Sequence, residues 1–271
     1  MTDYRHTVGE KLRDWRQRRG YSQLSLALEA DVSQRHLSFV ESGRSLPSRD
    51  MILRLSEQLR IPLRDRNAIL NEAGYAPAYS ERALAAPELT AARAVIDRIL
   101  SGHEPHPALA IDRHWNLLSA NRAVGVLMQG IAPHLLEGDV NVLRLSLHPD
   151  GLAPRILNYK VWRNHILARL SHDIEVSADP TLVTLFDEIR SYPLPPQAFG
   201  DTPPPVPSPA IAIPLMLTSP EGPLEFLSTT TVFGTAVDVT LSDLVIESFF
   251  PANAQTAAAM SQLCEAQSAV T

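Results

Sequence analysis

The sequence predicts a chain of two unlike domains, an all-α headpiece of five helices followed by an α+β domain built on an antiparallel sheet. Three observations carry that prediction. Apolar residues recur at helical spacing from Val8 to Leu70. Beyond the proline-dense run 192–209 the pattern shifts to short runs rich in β-branched and aromatic residues, Thr229-Thr230-Thr231 among them. Charge also divides unevenly: residues 1–80 carry 13 Lys+Arg against 10 Asp+Glu and the rest 11 against 20, so a formal charge of −6 separates into +3 and −9. The first part suits a polyanion and the second repels one.

At 271 residues the chain has room for two domains of ~100–200 residues each. The division expected is a headpiece at 1–76, a linker and connecting helix at 77–104, and a second domain at 105–271. The lone Cys264 excludes a disulfide framework and a thiolate metal cluster, and fits a reducing cytoplasm. The N-terminus MTDYRHTVGEKL has no apolar core, and no stretch approaches the ~18 apolar residues of a membrane span, so a soluble protein with no membrane partner is expected.

The first helix, Thr7 to Arg19, puts Val8, Leu12 and Trp15 on one face. Lys11, Arg13, Arg16, Arg18 and Arg19 lie elsewhere, as a flank that is either solvated or turned to phosphates. Ser22 is a good N-cap for a helix from Gln23 to Glu29 with Leu24, Leu26, Ala27 and Leu28 as its apolar stripe. Ala30-Asp31-Val32 breaks that helix; a tight turn here needs one residue near the left-handed region, which Asp31 tolerates. Ser33 caps the next helix, where Leu37 and Val40 point inward and Gln34, Arg35, Ser38, Phe39 and Ser42 point outward. Arg pairs with guanine and Gln with adenine in a major groove, so this face suits base reading. The rival is a protein-interaction bundle, with Phe39 packed against the fourth helix. Gly43 ends the displayed helix and Arg44 follows. Pro47-Ser48 opens a helix from Arg49 to Leu59, closed into the core by Ile52, Leu55 and Leu59. A fifth runs from Leu63 to Ala73 with Pro62 at N1 and Gly74 at C′.

Two short helices, a tight turn and a displayed third form a helix-turn-helix. Ser22-Gln23, Val32-Ser33, Leu37-Ser38, Glu41-x-Gly43 and Pro47-Ser48 fall at the spacings of the Xre/Cro regulators, which residues 7–60 resemble, with Asp31 where that family usually has Gly. The resemblance implies a double-stranded DNA operator, Gln23 capping a helix against a phosphate, Gln34, Arg35 and Phe39 facing bases, and Arg44 and Arg49 flanking the backbone. Ser33 and Ser38 complete the candidate DNA-contacting set.

Ala76 to Glu88 reads as a hinge. Leu89 to Leu100 is an amphipathic helix through Leu89, Ala92, Val95, Ile96 and Ile99, a candidate dimer or docking helix. PALAID and NLLSAN are short strands, and Asn121 to Met128 is helical. Asn141 to Leu170 holds a short helix, an HPDG turn and a longer helix with Trp162, Ile166, Leu167 and Leu170 near its buried side. Asp179-Pro180 starts a helix over Thr181 to Arg190, and Tyr192 to Pro209 is a surface loop. Strands follow at Ala210 to Thr218, Leu224 to Phe233 and Asp243 to Phe250, stopped by Pro251. Ala254 to Glu265 is a weak helix or a frayed tail. Two strands, a helical cluster and three antiparallel strands is the order of a PAS-like sensor. NVLRLSLHPDGLAPRI and VWRNHILARL resemble the MmyB-like ligand-binding domain that follows Xre-type headpieces in bacterial regulators, over about residues 105–250. Members often carry Trp-x-x-His-x-Val before the third strand, where this chain has PPPVPS.

Catalytic signatures are missing. HEPH at 103–106 lacks the HExxH spacing, and no G-x-S-x-G, P-loop or G-x-G-x-x-G occurs, so neither an enzyme nor a metal or organic cofactor is expected. Arg144, one turn from Asn141, either pairs with a carboxylate to tie helices to the sheet or gives a ligand pocket a polar end near its mouth. Trp162 and His165 are either core or pocket. The cleft expected beneath a PAS-like sheet is lined by Leu117, Leu145, Leu167, Ile213, Leu215 and Phe226. Its ligand is expected to be a small apolar or fatty-acyl effector, and the protein a homodimer. The alternative is an effector-independent repressor whose second domain only dimerises.

Overall fold

The computed structural model describes residues 8–196, 212–234 and 236–268. Most of the predicted proline loop, the PPPVPS segment and the start of the predicted strand at Ala210 lie outside them, as does Thr7. Among the described residues the chain forms two compact units, 8–83 with 236–242, and 84–234 with 243–268.

The first unit holds α1 (Val8–Arg18), α2 (Gln23–Glu29), α3 (Gln34–Glu41), α4 (Arg49–Gln58) and α5 (Leu63–Glu72), the five helices expected. Ser22, Ser33 and Ser48 each cap a helix by accepting the N–H three residues on. Leu12, Leu26, Leu37, Val40, Ile52, Leu55, Leu59 and Ile69 make the core, and Trp15 packs with them. The predicted α2 stripe is narrower than expected: Leu26 and Ala27 are buried, but Leu24 and Leu28 are exposed. Each lies two residues from Leu26, about 200° round the helix. Pro62 occupies the N-cap of α5 rather than N1. At Gly9 an added Cβ would stand 2.0 Å from the Val40 carbonyl oxygen, so α1 and α3 approach as closely as they do only because that position has no side chain.

The first part of the predicted hinge packs on this unit. The buried Asn67 side chain accepts from the Ala78 and Tyr79 N–H groups and donates to the Tyr79 carbonyl at 2.8 Å. The short α11 (Val239–Ser242) belongs here as well, with Val239 buried and its N–H on the Ser80 carbonyl at 2.8 Å.

The second unit is the PAS-like α+β fold. Its five antiparallel strands, β1 (Ala108–Ile111), β2 (Leu117–Ala120), β3 (Leu215–Leu217), β4 (Leu224–Val232) and β5 (Val245–Pro251), lie in the order β2-β1-β5-β4-β3. Strand alternation assigns the two faces. Ala108 and Ala110 of β1 and Ile246 of β5 turn to Ile96 and Leu100 of α6 (Thr90–Gly102), while Leu109, Ile111 and Phe249 join the larger core on the other side. That larger side is covered by α7 (Arg122–Leu127), α8 (Val142–Leu147), α9 (Tyr159–Ser177), α10 (Pro180–Ser191) and α12 (Ala254–Ser268). β1 is buried at every position because both faces are covered. Of the two readings of the last segment, a weak helix or a frayed tail, the helix holds, over 15 residues, since Ala259 and Met260 find a place in the core. On α6, Ile96 is buried but Val95 and Ile99 stay exposed.

Replacing Gly9 by Ala is expected to push α1 from α3 and cost about 1–3 kcal/mol, the usual cost of overpacking; denaturant unfolding would show it as a lower midpoint at unchanged slope.

Candidate nucleic-acid interface and ligand cavity

The displayed face begins at a turn. Asp31 takes φ 52, the left-handed conformation the sequence requires there, and the Arg54 guanidinium reaches the Asp31 carbonyl at 3.4 Å. Ser33 spends its hydroxyl on the His36 N–H at 3.1 Å, so α3 starts with Gln34 and Arg35 exposed in its first turn. Ser38 and Phe39 are half-buried, and Arg35 lies over the Phe39 ring at 5.4 Å. Phe39 thus supports an arginine on the outer face instead of filling the core. Gly43, at φ 71, ends the helix, after which the Arg44 N–H returns to the Phe39 carbonyl at 2.8 Å. Arg44 and Arg49 are exposed at either end of the loop that follows. Gln34, Arg35, Ser38 and Phe39, at helical spacings of three and four, therefore share one side of α3.

Gln23 is engaged elsewhere. Its amide donates to Glu41 Oε2 at 2.8 Å, and Glu41 also receives Arg16 through Nε at 2.6 Å and Nη2 at 2.8 Å. Arg16, expected on the basic flank, is buried, and its Nη1 also donates to the Tyr21 carbonyl. Hydrogen bonding to Glu41 raises the Arg16 pKa against the opposing effect of burial. Arg16 follows Leu12 by four residues and Glu41 follows Leu37 by four, so both sit on the buried stripes of their helices. That coincidence was the available signal.

In the second unit an apolar cavity of about 100 Å³ lies between the sheet and α7 to α9. Leu117, Leu145, Trp162 and Leu215 line it with Trp115, Val124, Leu143 and Ile166. Its charged lining is a pair: Arg169 on α9 donates to Glu247 of β5 at 2.5 Å and to Thr230 at 3.1 Å, and lies 4.5 Å from the centre of the Trp115 ring. Ser146 also lines it and accepts the Trp162 indole N–H at 3.0 Å. Near Arg169, burial lowers the His165 pKa and raises that of Asp173, in each case against the charged form.

Residues 92–263 match the family model of the MmyB-like transcription regulator ligand binding domain, and residues 12–65 match a helix-turn-helix model. The chain belongs to the MmyB-like transcription regulators. No curated protein matches it. This MmyB-like regulator is thus a DNA-binding transcription regulator with a ligand-binding domain. Among its described residues no helix is long and apolar enough to cross a membrane.

Not every residue expected at the regulator's cavity lines it. Phe226 is fully buried in the core, cross-strand from Leu215 and Pro251, and Leu167 and Ile213 pack against the same core. His165 lies one turn from Trp162 and packs on its ring at 5.5 Å without reaching the cavity wall. Arg144 forms a two-pronged pair with Glu188 of α10, at 2.8 and 2.7 Å, and faces a separate open polar cleft with His114, Asn116 and Asn141. Tyr192 donates to the same carboxylate at 2.5 Å; Arg144 holds Glu188 below its usual range, and burial and Glu188 push Tyr192 up. Arg144 therefore ties α8 to α10. Its place at the cavity belongs to Arg169, the residue the sequence reading missed. The signal was there: Arg169 lies seven residues after Trp162 on one helical face, and Glu247 is an acid at an inward position of an apolar strand.

Two measurements separate reading from folding in this regulator. Arg35→Ala is expected to cost about 1–3 kcal/mol at one operator base pair and to relax the preference there, whereas Arg49→Ala weakens all sequences alike; binding titrations on single-base operator variants decide it. Glu41→Ala leaves Arg16 buried without its partner and is expected to destabilise the first unit by about 3–5 kcal/mol, visible in thermal unfolding without DNA.

Proposed function

We propose that this regulator binds its operator as a homodimer and that a small apolar effector, a fatty-acyl molecule among the candidates, enters the cavity beside Arg169 and changes operator affinity. The observation that carries the reading is the near absence of charge from that cavity, where Arg169 and Glu247 hold each other at one side. Such a site takes an apolar body with one polar head. We place the head at Arg169. The dimer is proposed because one small headpiece buries too little surface for strong specific binding, and two-fold proteins read paired half-sites; exposed Val95 and Ile99 on α6 offer a second copy an apolar face. No catalytic role is proposed, and a reducing cytoplasm remains the expected setting.

Cavity size also favours a second reading. About 100 Å³ is below the ~300–1,000 Å³ of ordinary ligand sites, and closer to an engineered cavity of ~150 Å³ that admits benzene. A long acyl chain must widen the cavity to enter, and a domain that never widens serves only to dimerise. Operator affinity of the full chain, measured with fatty acids of increasing length and with Leu215→Trp, separates the two. The sensing reading expects a ligand-dependent shift that Leu215→Trp abolishes or mimics. Identical operator affinity with every ligand and in the variant would leave the dimerisation reading.

A further inference from the structure

Away from both sites, His134 stands in a single turn at 133–135, and His148 and Asp150 stand in the turn after α8. One ligand atom from each side chain lies within 4.8 Å of the other two. His134 Nε2 is 3.9 Å and His148 Nδ1 3.8 Å from the same oxygen, Asp150 Oδ2. We propose that His134, His148 and Asp150 form a binding site for a divalent transition-metal ion of the Zn²⁺ class, with water completing the coordination.

The donor set selects the ion. Two imidazoles and one carboxylate suit Zn²⁺, Ni²⁺ or Cu²⁺, whereas Ca²⁺ and Mg²⁺ prefer all-oxygen shells. Tetrahedral bonds of ~2.0–2.1 Å set neighbouring donors about 3.3 Å apart, so the two pairs to Asp150 must close by about 0.5 Å and the two imidazoles, within 4.8 Å of each other, by up to about 1.5 Å. The His134 and Asp150 side chains are 56% and 58% exposed and have room to make that shift.

The backbone beneath them is already held. The Ala132 N–H donates to the Asp150 carbonyl at 3.1 Å, joining the two segments, and the Gly151 N–H donates to the His148 carbonyl at 2.9 Å. At Gly151 a Cβ would stand 2.3 Å from the Leu145 carbonyl oxygen, so the turn lies tight against α8. Ordering the site therefore restricts side-chain rotamers and little else. The His148 Nδ1 accepts the Asp150 N–H at 3.0 Å, so its lone pair is directed at that amide. An ion takes that lone pair in place of the amide proton.

The consequence falls on α8. Its helix carries Leu145 and Ser146 of the cavity wall, and the His148 ring meets the Tyr192 ring edge-on at 5.0 Å. Tyr192 in turn bonds the carboxylate that Arg144 holds. An ion at His148 fastens the C-terminal end of α8, the helix that carries part of the cavity wall.

The test uses untagged, full-length protein stripped with a chelator. Equilibrium dialysis against Zn²⁺ alone, repeated with Co²⁺ to read its visible absorption, is expected to show one ion per chain. His134→Ala and Asp150→Ala change exposed side chains, so each should keep the unfolding temperature of the metal-free protein. Each is expected to weaken binding tenfold or more. Absence of stoichiometric binding, or binding kept undiminished by either variant, overturns the site.

Discussion

A buried carboxylate needs partners in place of the water it loses, and in each unit of this regulator one such residue ties together elements distant in sequence. Glu41 is met by Arg16 with Gln23 beside it, and Glu247 by Arg169 with Thr230 beside it. The partner is Arg in both: Arg16 meets both Glu41 oxygens with its planar fork, and Arg169 reaches Glu247 and Thr230 through Nη2. Replacing such a pair with well-packed apolar groups is often neutral or stabilising, so its value lies in what a lone member would cost. Each pair fixes a relation between elements distant in sequence: α1 with the end of the displayed helix, and α9 with the central strand of the sheet.

That relation places the functional surfaces. Because Glu41 anchors the last turn of α3 and Ser33 its first, the helix has no freedom to rotate, and Gln34 and Arg35 are delivered outward in one orientation. The bond from Gln23 to Glu41 means that the N-terminus of α2 is held by the same carboxylate, so both helices of the reading motif share an anchor. In the second unit, the Arg169 and Glu247 pair keeps two charges at one side of an apolar space.

Much of this was legible in the sequence, and the parts that were not share a cause. The capping serines, the left-handed Asp31 and the core positions of α3 and α4 follow from rules linking residues within about four positions of each other, and they stand where those rules put them. The order of strands and helices in the second unit was legible because its period shifts from helical to alternating. Arg16 reads as part of a flank either solvated or turned to phosphates because arginine is usually a surface residue, and Glu41, 25 residues away, makes its burial tolerable. Arg144 was legible as an ion-pair partner of a carboxylate or as a pocket residue; Glu188, 44 residues on, decides for the pair. Local pattern specifies which face a residue occupies, and long-range pairing specifies whether a charge there is solvated, paired or poised on a ligand.

The size of the cavity limits how sensing can work. A molecule that fitted the present volume would bind the resting conformation as it stands and gain little from any other, and a ligand with equal affinity for two states shifts neither. A molecule larger than about 100 Å³ must bind a widened form, in which α8 or α9 has moved from the sheet. Its differential affinity for that form is the whole of the free energy available to change operator binding. The elements that would have to move are also those tied down by polar contacts, α8 to α10 through Arg144 and Glu188, and α9 to β5 through Arg169 and Glu247. If an effector is sensed as proposed, a head group taking over one of the Arg169 hydrogen bonds would lower the cost of that movement while the apolar body filled the space it opened, so recognition of the head and widening for the body would be two parts of one step.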